Sequence, residues 1–185
     1  MRARLLDATV ELLARSAPRR PTTQELAQFS HLRIGTVYRY FDIMDAIVET
    51  LLDAAIRDIT TDLATGVGRA MDKDPMAAMV TVVETLTSSF ENHATVLRAS
   101  FETHESEFGN LQLQVEGPLV LLARIIPTRL RPDLDEAALD DLAFLTMGAT
   151  ANLCWRIAVM RSPEADRDRL IATAARMLLA AFDRD

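Results

Sequence analysis

At 185 residues, 49% of them apolar, with seven prolines and six glycines, the chain has material for a sizeable core and too few breakers for a linker-rich or disordered protein. Its single cysteine, Cys154, excludes an internal disulfide framework and fits a reducing cytoplasm, and the opening MRARLLDATVELLARS is charged throughout, so no signal peptide is expected. Net charge is −7, which argues at first against nucleic acid; yet residues 1–46 hold seven arginines against five acids, giving +2 and leaving −9 for the remainder. A mildly basic head on an acidic body fits a protein whose head alone meets phosphate, with chance clustering as the alternative.

The first helix is expected from Arg2 to Ser16, where Leu5, Thr9, Leu12 and Leu13 repeat at helical spacing. Ala17-Pro18-Arg19-Arg20-Pro21 ends it, because two prolines forbid continued helix. Thr22 or Thr23 can cap the next helix, with Glu25 three residues after Thr22 as in a capping box. Two short amphipathic segments follow, Thr23 to Phe29 and Ile34 to Phe41, separated by a few residues, and this spacing predicts a helix-turn-helix. Helices of about ten residues are too short to stand alone in water, so the flanking helices must support them. In the second segment Val37 and Phe41 would face inward, leaving Thr36, Tyr38, Arg39 and Tyr40 outside. Hydroxyls and a guanidinium suit a helix in a DNA major groove, where they reach phosphates and Arg can fork onto a guanine edge.

The run from Thr23 through Gly35-Thr36-Val37-Tyr38-Arg39-Tyr40-Phe41 to Ile47 resembles the DNA-binding domain of the TetR family of transcriptional repressors. The resemblance covers about residues 2–52 and extends beyond them only by helix count and length. It implies duplex contacts from Thr22, Thr23, Arg33, Ile34, Gly35, Thr36, Tyr38, Arg39 and Tyr40, and a homodimer. Three positions depart from the family pattern. His31 stands where a turn glycine is usual, and His tolerates positive φ better than most residues. Arg33 replaces a capping serine, a loss of about 1 kcal/mol. Met44, between Asp42 and Asp45, replaces a phosphate-binding lysine, and two carboxylates there favour the helix start but repel phosphate. Weaker, more salt-sensitive DNA binding than is usual in the family is the expectation.

A long helix opens at Asp42 and continues to about Thr65 on the stripe Ile47, Val48, Leu51, Leu52, Ala55, Ile56, Ile59 and Leu63, with a loop near Met71 to Asp74. Met79, Val82, Val83, Leu86 and Phe90 mark the next helix, Leu97 and Phe101 another ending near Gly109, and Leu111 to Ile126 a further one kinked at Gly117-Pro118. Pro127 to Pro132 reads as loop, and Asp133 or Asp135 starts a helix whose stretch from Leu142 to Trp155 is uncharged for fourteen residues. That stretch is too short for a bilayer, which needs about twenty. A soluble helix of this kind needs burial on more than one side. The last helix follows Arg161-Ser162-Pro163. Pairing of the last two helices with those of a second subunit is expected through Leu145, Ala149, Leu153, Leu170, Ala174, Ala175, Leu178 and Phe182.

No strand pattern or repeat appears, and the reading is all-α: about nine helices, a three-helix DNA-binding head over 1–46 and a ligand-binding and dimerisation bundle over 47–185. No cofactor, metal site or enzyme activity is expected. His31, His93 and His104 make no triad, and the pairs Glu91/His93 and Glu102/His104, two apart on a helix, are rotated by about 200°. Cys154 beside Trp155 reads as core. A candidate effector pocket gathers Met79, Phe90, Phe101, Phe108, Met147, Ala151 and Trp155, with His104, Asn110 and Asn152 as polar handles; periodicity does not separate a cavity from a filled core. The implied function is a cytoplasmic repressor released from a palindromic operator by a small, largely apolar effector, with no membrane partner. The alternative is a ligand-binding or interaction dimer that has lost operator binding.

Overall fold

The computed structural model describes residues 1–103 and 119–183, the side chains of 101–103 excepted. Among the described residues every regular element is helical. Contacts divide the chain into two compact units: a head of Met1–Ile56 with the chain from His93, and a body of Arg57–Asn92 with the described residues from Leu119 on. The head unit thus reaches past residue 46, because the start of the long fourth helix supplies part of its core.

In the head, α1 (Arg2–Ser16), α2 (Thr23–Phe29) and α3 (Ile34–Tyr38) are followed by α4 (Met44–Ala70), whose first half belongs here, and by α6 (Ala94–Thr103). The first two match their expected bounds. Leu5 and Leu13 of α1 meet Leu26 and Ala27 of α2, Val37 of α3, Phe41, Ile47 and Val48, with Ala99 contributed by α6. Thr9, fully buried on the same stripe, stays satisfied by donating its hydroxyl to the Leu5 carbonyl at 2.7 Å. Full burial of each Leu, Ile or Val is worth about 1.5–3 kcal/mol. That total holds helices of seven and five residues that would not persist alone.

In the body, α4 runs five residues beyond the expected Thr65, so Gly66 and Gly68 are helical and the loop begins after Ala70. Arg129 ends α4 by donating to the carbonyls of Ala70, at 3.0 Å, and of Lys73, a cation where the helix dipole is negative. The next helix, α5 (Pro75–Asn92), is the body's centre, burying Met79, Val82, Val83, Leu86 and Phe90. After the described chain resumes come α7 (Val120–Ala123) and α8 (Ile125–Leu130). Pro127, expected in a loop, lies in the first turn of α8, where a missing N–H leaves no helix bond unmade. The expected kink at Pro118 lies outside the described residues. Asp135 caps α9 (Glu136–Trp155) by accepting from the Ala138 N–H at 2.8 Å, and Asp166 caps α10 (Arg167–Ala180) by accepting from the Arg169 N–H at 3.0 Å. A π-helical turn, Arg156–Met160, extends α9. The whole segment, Glu136–Met160, is 25 residues and contains an 18-residue window of mean hydropathy 1.3, of which only 22% is buried. By length and composition it therefore reaches a bilayer span, unlike its fourteen-residue uncharged part; the low burial marks an uncovered apolar face.

The two glycines of α4 provide a paired test of packing. A Cβ on Gly66 would come within 2.7 Å of the Thr85 hydroxyl and 2.8 Å of its Cβ, whereas one on Gly68 meets nothing within 4 Å. Gly68→Ala is expected to raise stability by up to about 1 kcal/mol through helix propensity. Gly66→Ala should lower it by about 1 kcal/mol, since overpacking outweighs the same propensity gain. Urea midpoints read the difference, and equal midpoints would show that α4 and α5 do not pack at Gly66.

Candidate nucleic-acid interface

The start of α2 is fixed by a complete capping box. The Glu25 N–H donates to the Thr22 hydroxyl at 3.2 Å, and the Thr22 N–H donates to the Glu25 carboxylate at 2.8 Å. Arg19 forks onto the same carboxylate at 2.7 and 3.0 Å; its hydrogen bonds, with those from Thr22, outweigh desolvation and lower the Glu25 pKa to about 2. Thr22 is exposed and Thr23 half-buried, so both sit at the mouth of the helix, with the Thr22 hydroxyl already serving the cap.

The turn to α3 resolves the missing glycine. His31 adopts φ 55°, the left-handed conformation that glycine takes most easily. Arg33 then occupies the N-cap with extended backbone and no side-chain cap bond, as expected from the loss of serine. The helix ends at Tyr38, three residues before the expected Phe41, but Phe41 keeps the inward direction because its N–H donates to the Val37 carbonyl at 3.0 Å. Val37 is 0% and Phe41 6% exposed, while Tyr38 is 49% and Tyr40 40% exposed. Arg33, Ile34, Gly35 and Arg39 are also exposed, with Thr36 half-buried between them. All the expected contact residues therefore lie in the turns and short helices of the helix-turn-helix, and those from Arg33 to Tyr40 sit on or beside α3.

Met44 is 7% exposed and belongs to the head core, which explains why this position carries no cation to the surface. Asp45 pairs with Arg20 at 3.2 Å while its side chain stays 61% exposed, so Asp42 and Asp45 both present carboxylates at the start of α4.

The body contains a cavity of about 70 Å³ lined from α4, α5, α9, α10 and the Leu119 to Pro127 segment. Met79, Met147 and Ala151 are among the residues that line it. Phe90 and Trp155 do not: their rings meet edge to face at 6.3 Å and form core beside it. Asn152 is exposed on the opposite side of α9, and Phe101 lies on α6 in the head unit. His104, Phe108 and Asn110 lie outside the described residues. Leu178 and Phe182, expected at a subunit interface, instead line the cavity, and Ala174 and Ala175 are 3% and 0% exposed inside the same subunit. The reason is that α10 packs along α5 and turns that stripe inward. Exposed apolar residues of α9, its π-helical extension and α10 include Leu145 and Ala149 together with Phe144, Met160 and Met177, and Leu153 and Leu170 are half-buried. The signal for Met177 is its place seven residues after Leu170 on one helical stripe.

Polar groups in the cavity are few. Thr146 and Thr150 donate their hydroxyl protons to the carbonyls of Leu142 and Thr146, each at 2.6 Å, and keep only acceptor capacity. Cys154 is fully buried, donates weakly to the Val83 carbonyl at 3.6 Å, and has its thiol pushed up to about 12 by burial, so it is chemically quiet.

No protein-family model and no curated protein matches this chain. Solved structures do. A TetR-family transcriptional regulator, PfmR, from Thermus thermophilus superposes with TM-score 0.64 at 15% identity, covering 97% of this chain and 99% of its own. The fatty acid degradation regulator FadR from Bacillus halodurans gives 0.68 at 14%, covering 96% and 94%. Thermus thermophilus FadR, a TetR-family repressor solved in complex with lauroyl-CoA, gives 0.61 at 18%, covering 97% and 93%. The chain has the TetR-family fold, with an N-terminal helix-turn-helix and a C-terminal helical region.

Proposed function

We propose that this TetR-fold chain is a cytoplasmic, homodimeric transcriptional regulator, a repressor that leaves a palindromic operator when a small, largely apolar effector binds. Residues 1–46 bind DNA, and 47–185 hold the effector and the second subunit. One observation carries the reading: α3 and the turn after it bury Val37 and Phe41 while leaving Tyr38 and Tyr40 49% and 40% exposed beside Arg39. Tyr38 closes the five-residue helix and Tyr40 lies in the turn after it, and neither belongs to the buried core of the head. A duplex gives them phosphates and base edges to meet. Two heads would occupy successive major-groove faces about one helical turn or more apart.

The second subunit covers Phe144, Leu145, Ala149, Met160 and Met177, the uncovered face of α9 and α10. The effector is apolar because the cavity wall is, and because its two threonines have no proton left to donate. At about 70 Å³ against roughly 300–1,000 Å³ for ligand pockets, the cavity opens on binding by displacement of adaptable side chains such as Met79 and Met147. Coupling follows if the effector prefers a head spacing that the operator does not. The lauroyl-CoA held by Thermus thermophilus FadR supports an acyl-like guest.

A Tyr38→Ala chain that still folds and dimerises is expected to bind about tenfold or more weakly to a DNA fragment that the wild type selects from a random-sequence pool. Equal retention would refute the role of α3. The uncapped start of α3 favours one rival, a dimer that has kept this fold without operator binding; a wild type that selects no sequence would establish it.

A further inference from the structure

The uncovered face of α9 carries a symmetry along its length. Asp141, Leu145, Gly148, Asn152 and Arg156 recur at intervals of four, three, four and four, which makes one stripe along the helix and onto the first residue of its π-helical extension. Asp141, Leu145, Asn152 and Arg156 are exposed, as is Ala149 beside them. The stripe mirrors itself about the bond between Gly148 and Ala149. Leu145 lies three residues before Gly148 and Asn152 three after Ala149; Asp141 lies seven before and Arg156 seven after.

Within one subunit the two charges do not meet. At about 1.5 Å per residue Asp141 and Arg156 stand about 22 Å apart along the helix. Their neighbours are engaged: Asp140 meets Arg124 at 3.2 Å, and Arg161 meets Glu91 at 2.6 Å. The side chains of Asp141 and Arg156 have no partner among the described residues. Between them, a Cβ on Gly148 would meet nothing within 4 Å, and its φ is not positive. Neither packing nor backbone conformation inside the subunit therefore requires glycine at this mid-helix position, where alanine is favoured. Close approach of a second helix makes use of it.

We propose that a second copy of this chain docks its α9 antiparallel to this one, with the twofold axis passing between Gly148 and Ala149. This register rests on the homodimer proposed for the chain and states which residues meet. Gly148 and Ala149 let the two helices approach at the axis, and Leu145 packs beside Asn152 of the partner subunit. Asp141 pairs with Arg156 of the partner subunit, and the isologous interface makes that pair twice. A hydrocarbon layer would leave an acid and a base unpaired at the ends of the stripe, whereas an antiparallel copy supplies each with its opposite.

Sedimentation equilibrium of the full chain tests this. Asp141→Arg and Arg156→Asp should each raise the dimer dissociation constant about tenfold or more by setting like charges opposite each other. The double swap should return it to within about threefold of wild type. Ala149→Cys should oxidise to a disulfide-linked dimer, because a residue at the axis meets its own copy. Asn152→Cys should not, its two copies lying about 10 Å apart along the helices. Cys154, 0% exposed, does not compete. A wild-type dimer whose charge swaps fail to compensate, or that crosslinks through position 152 and not 149, would overturn the register and leave the dimer standing. A chain that stays single at about 100 μM would overturn both, and cosedimentation of that monomer with phosphatidylcholine vesicles would give the face to lipid.

Discussion

Arg167→Ala is expected to destabilise the body by about 2 kcal/mol, although the residue lies outside the apolar core. Arg167 opens α10, where a cation opposes the helix dipole by about 0.3–1 kcal/mol, so it owes its place to what it reaches. Its guanidinium contacts Glu91 at 2.9, 3.0 and 3.1 Å, Glu84 at 2.9 Å through both carboxylate oxygens, and the Ser88 hydroxyl at 2.8 Å, tying α10 to three successive turns of α5. Arg167 and Glu91 are 24% and 26% exposed, between the surface pairs worth up to about 1 kcal/mol and the buried pairs whose breakage costs about 3–5. Arg161 stays on Glu91 at 2.6 Å in the variant, which keeps the loss toward the lower figure. Arg167→Lys, with charge but no fork, should lose about half as much.

The effect has a pH signature. Burial would raise the Glu91 carboxyl, but hydrogen bonds from Arg167 and Arg161 outweigh it and hold the group below its ordinary 4.5. A carboxyl lowered in the folded state adds stability that is complete above its unfolded value and disappears as pH falls through the folded one. Wild type and Arg167→Ala should therefore differ most above about pH 5 and converge in acid, as followed by urea unfolding. A gap that stays constant down to about pH 3 would show that packing of the arginine stem, not the carboxylate, accounts for the loss.

Gly35→Ala is expected to separate stability from binding. Glycine inside a helix costs up to about 1 kcal/mol relative to alanine, and Gly35 adopts no conformation that requires it. A Cβ there meets nothing within 4 Å, so the subunit itself has room for alanine. The side that lacks the Cβ is exposed among Arg33, Ile34 and Tyr38, the surface proposed to face the duplex. On that proposal, close approach of a nucleic-acid backbone is what the glycine permits. Alanine should raise the unfolding midpoint slightly and weaken binding to the selected DNA ten- to hundredfold, about 1.4–2.7 kcal/mol. A variant that is both more stable and equally tight would remove Gly35 from the interface.

Much of the head is legible in sequence because its signals are local. Two prolines stop α1, Thr22 and Glu25 start α2, and the left-handed turn at His31 follows from a residue standing where glycine is usual. The shortening of α3 to Tyr38 is not legible, since Phe41 keeps its inward direction whether the last residues are helix or turn. Met44 reads in sequence as a missing cation, whereas burial governs its position in the structure.

In the body the sequence determines that helices form and where most of them stop, because periodicity, caps and prolines act within a few residues. It does not rank the two apolar stripes of α10. Both Leu170, Ala174, Leu178 and Ile171, Ala175, Leu179 fit a buried face, and only packing against α5 turns Ala174, Ala175, Leu178 and Phe182 inward and leaves Met177 outside. Likewise the Arg167 contacts join residues more than seventy positions apart. Helix formation is decided by neighbours along the chain; which face is covered, and which charges meet, is decided by surfaces that neighbours in sequence do not share.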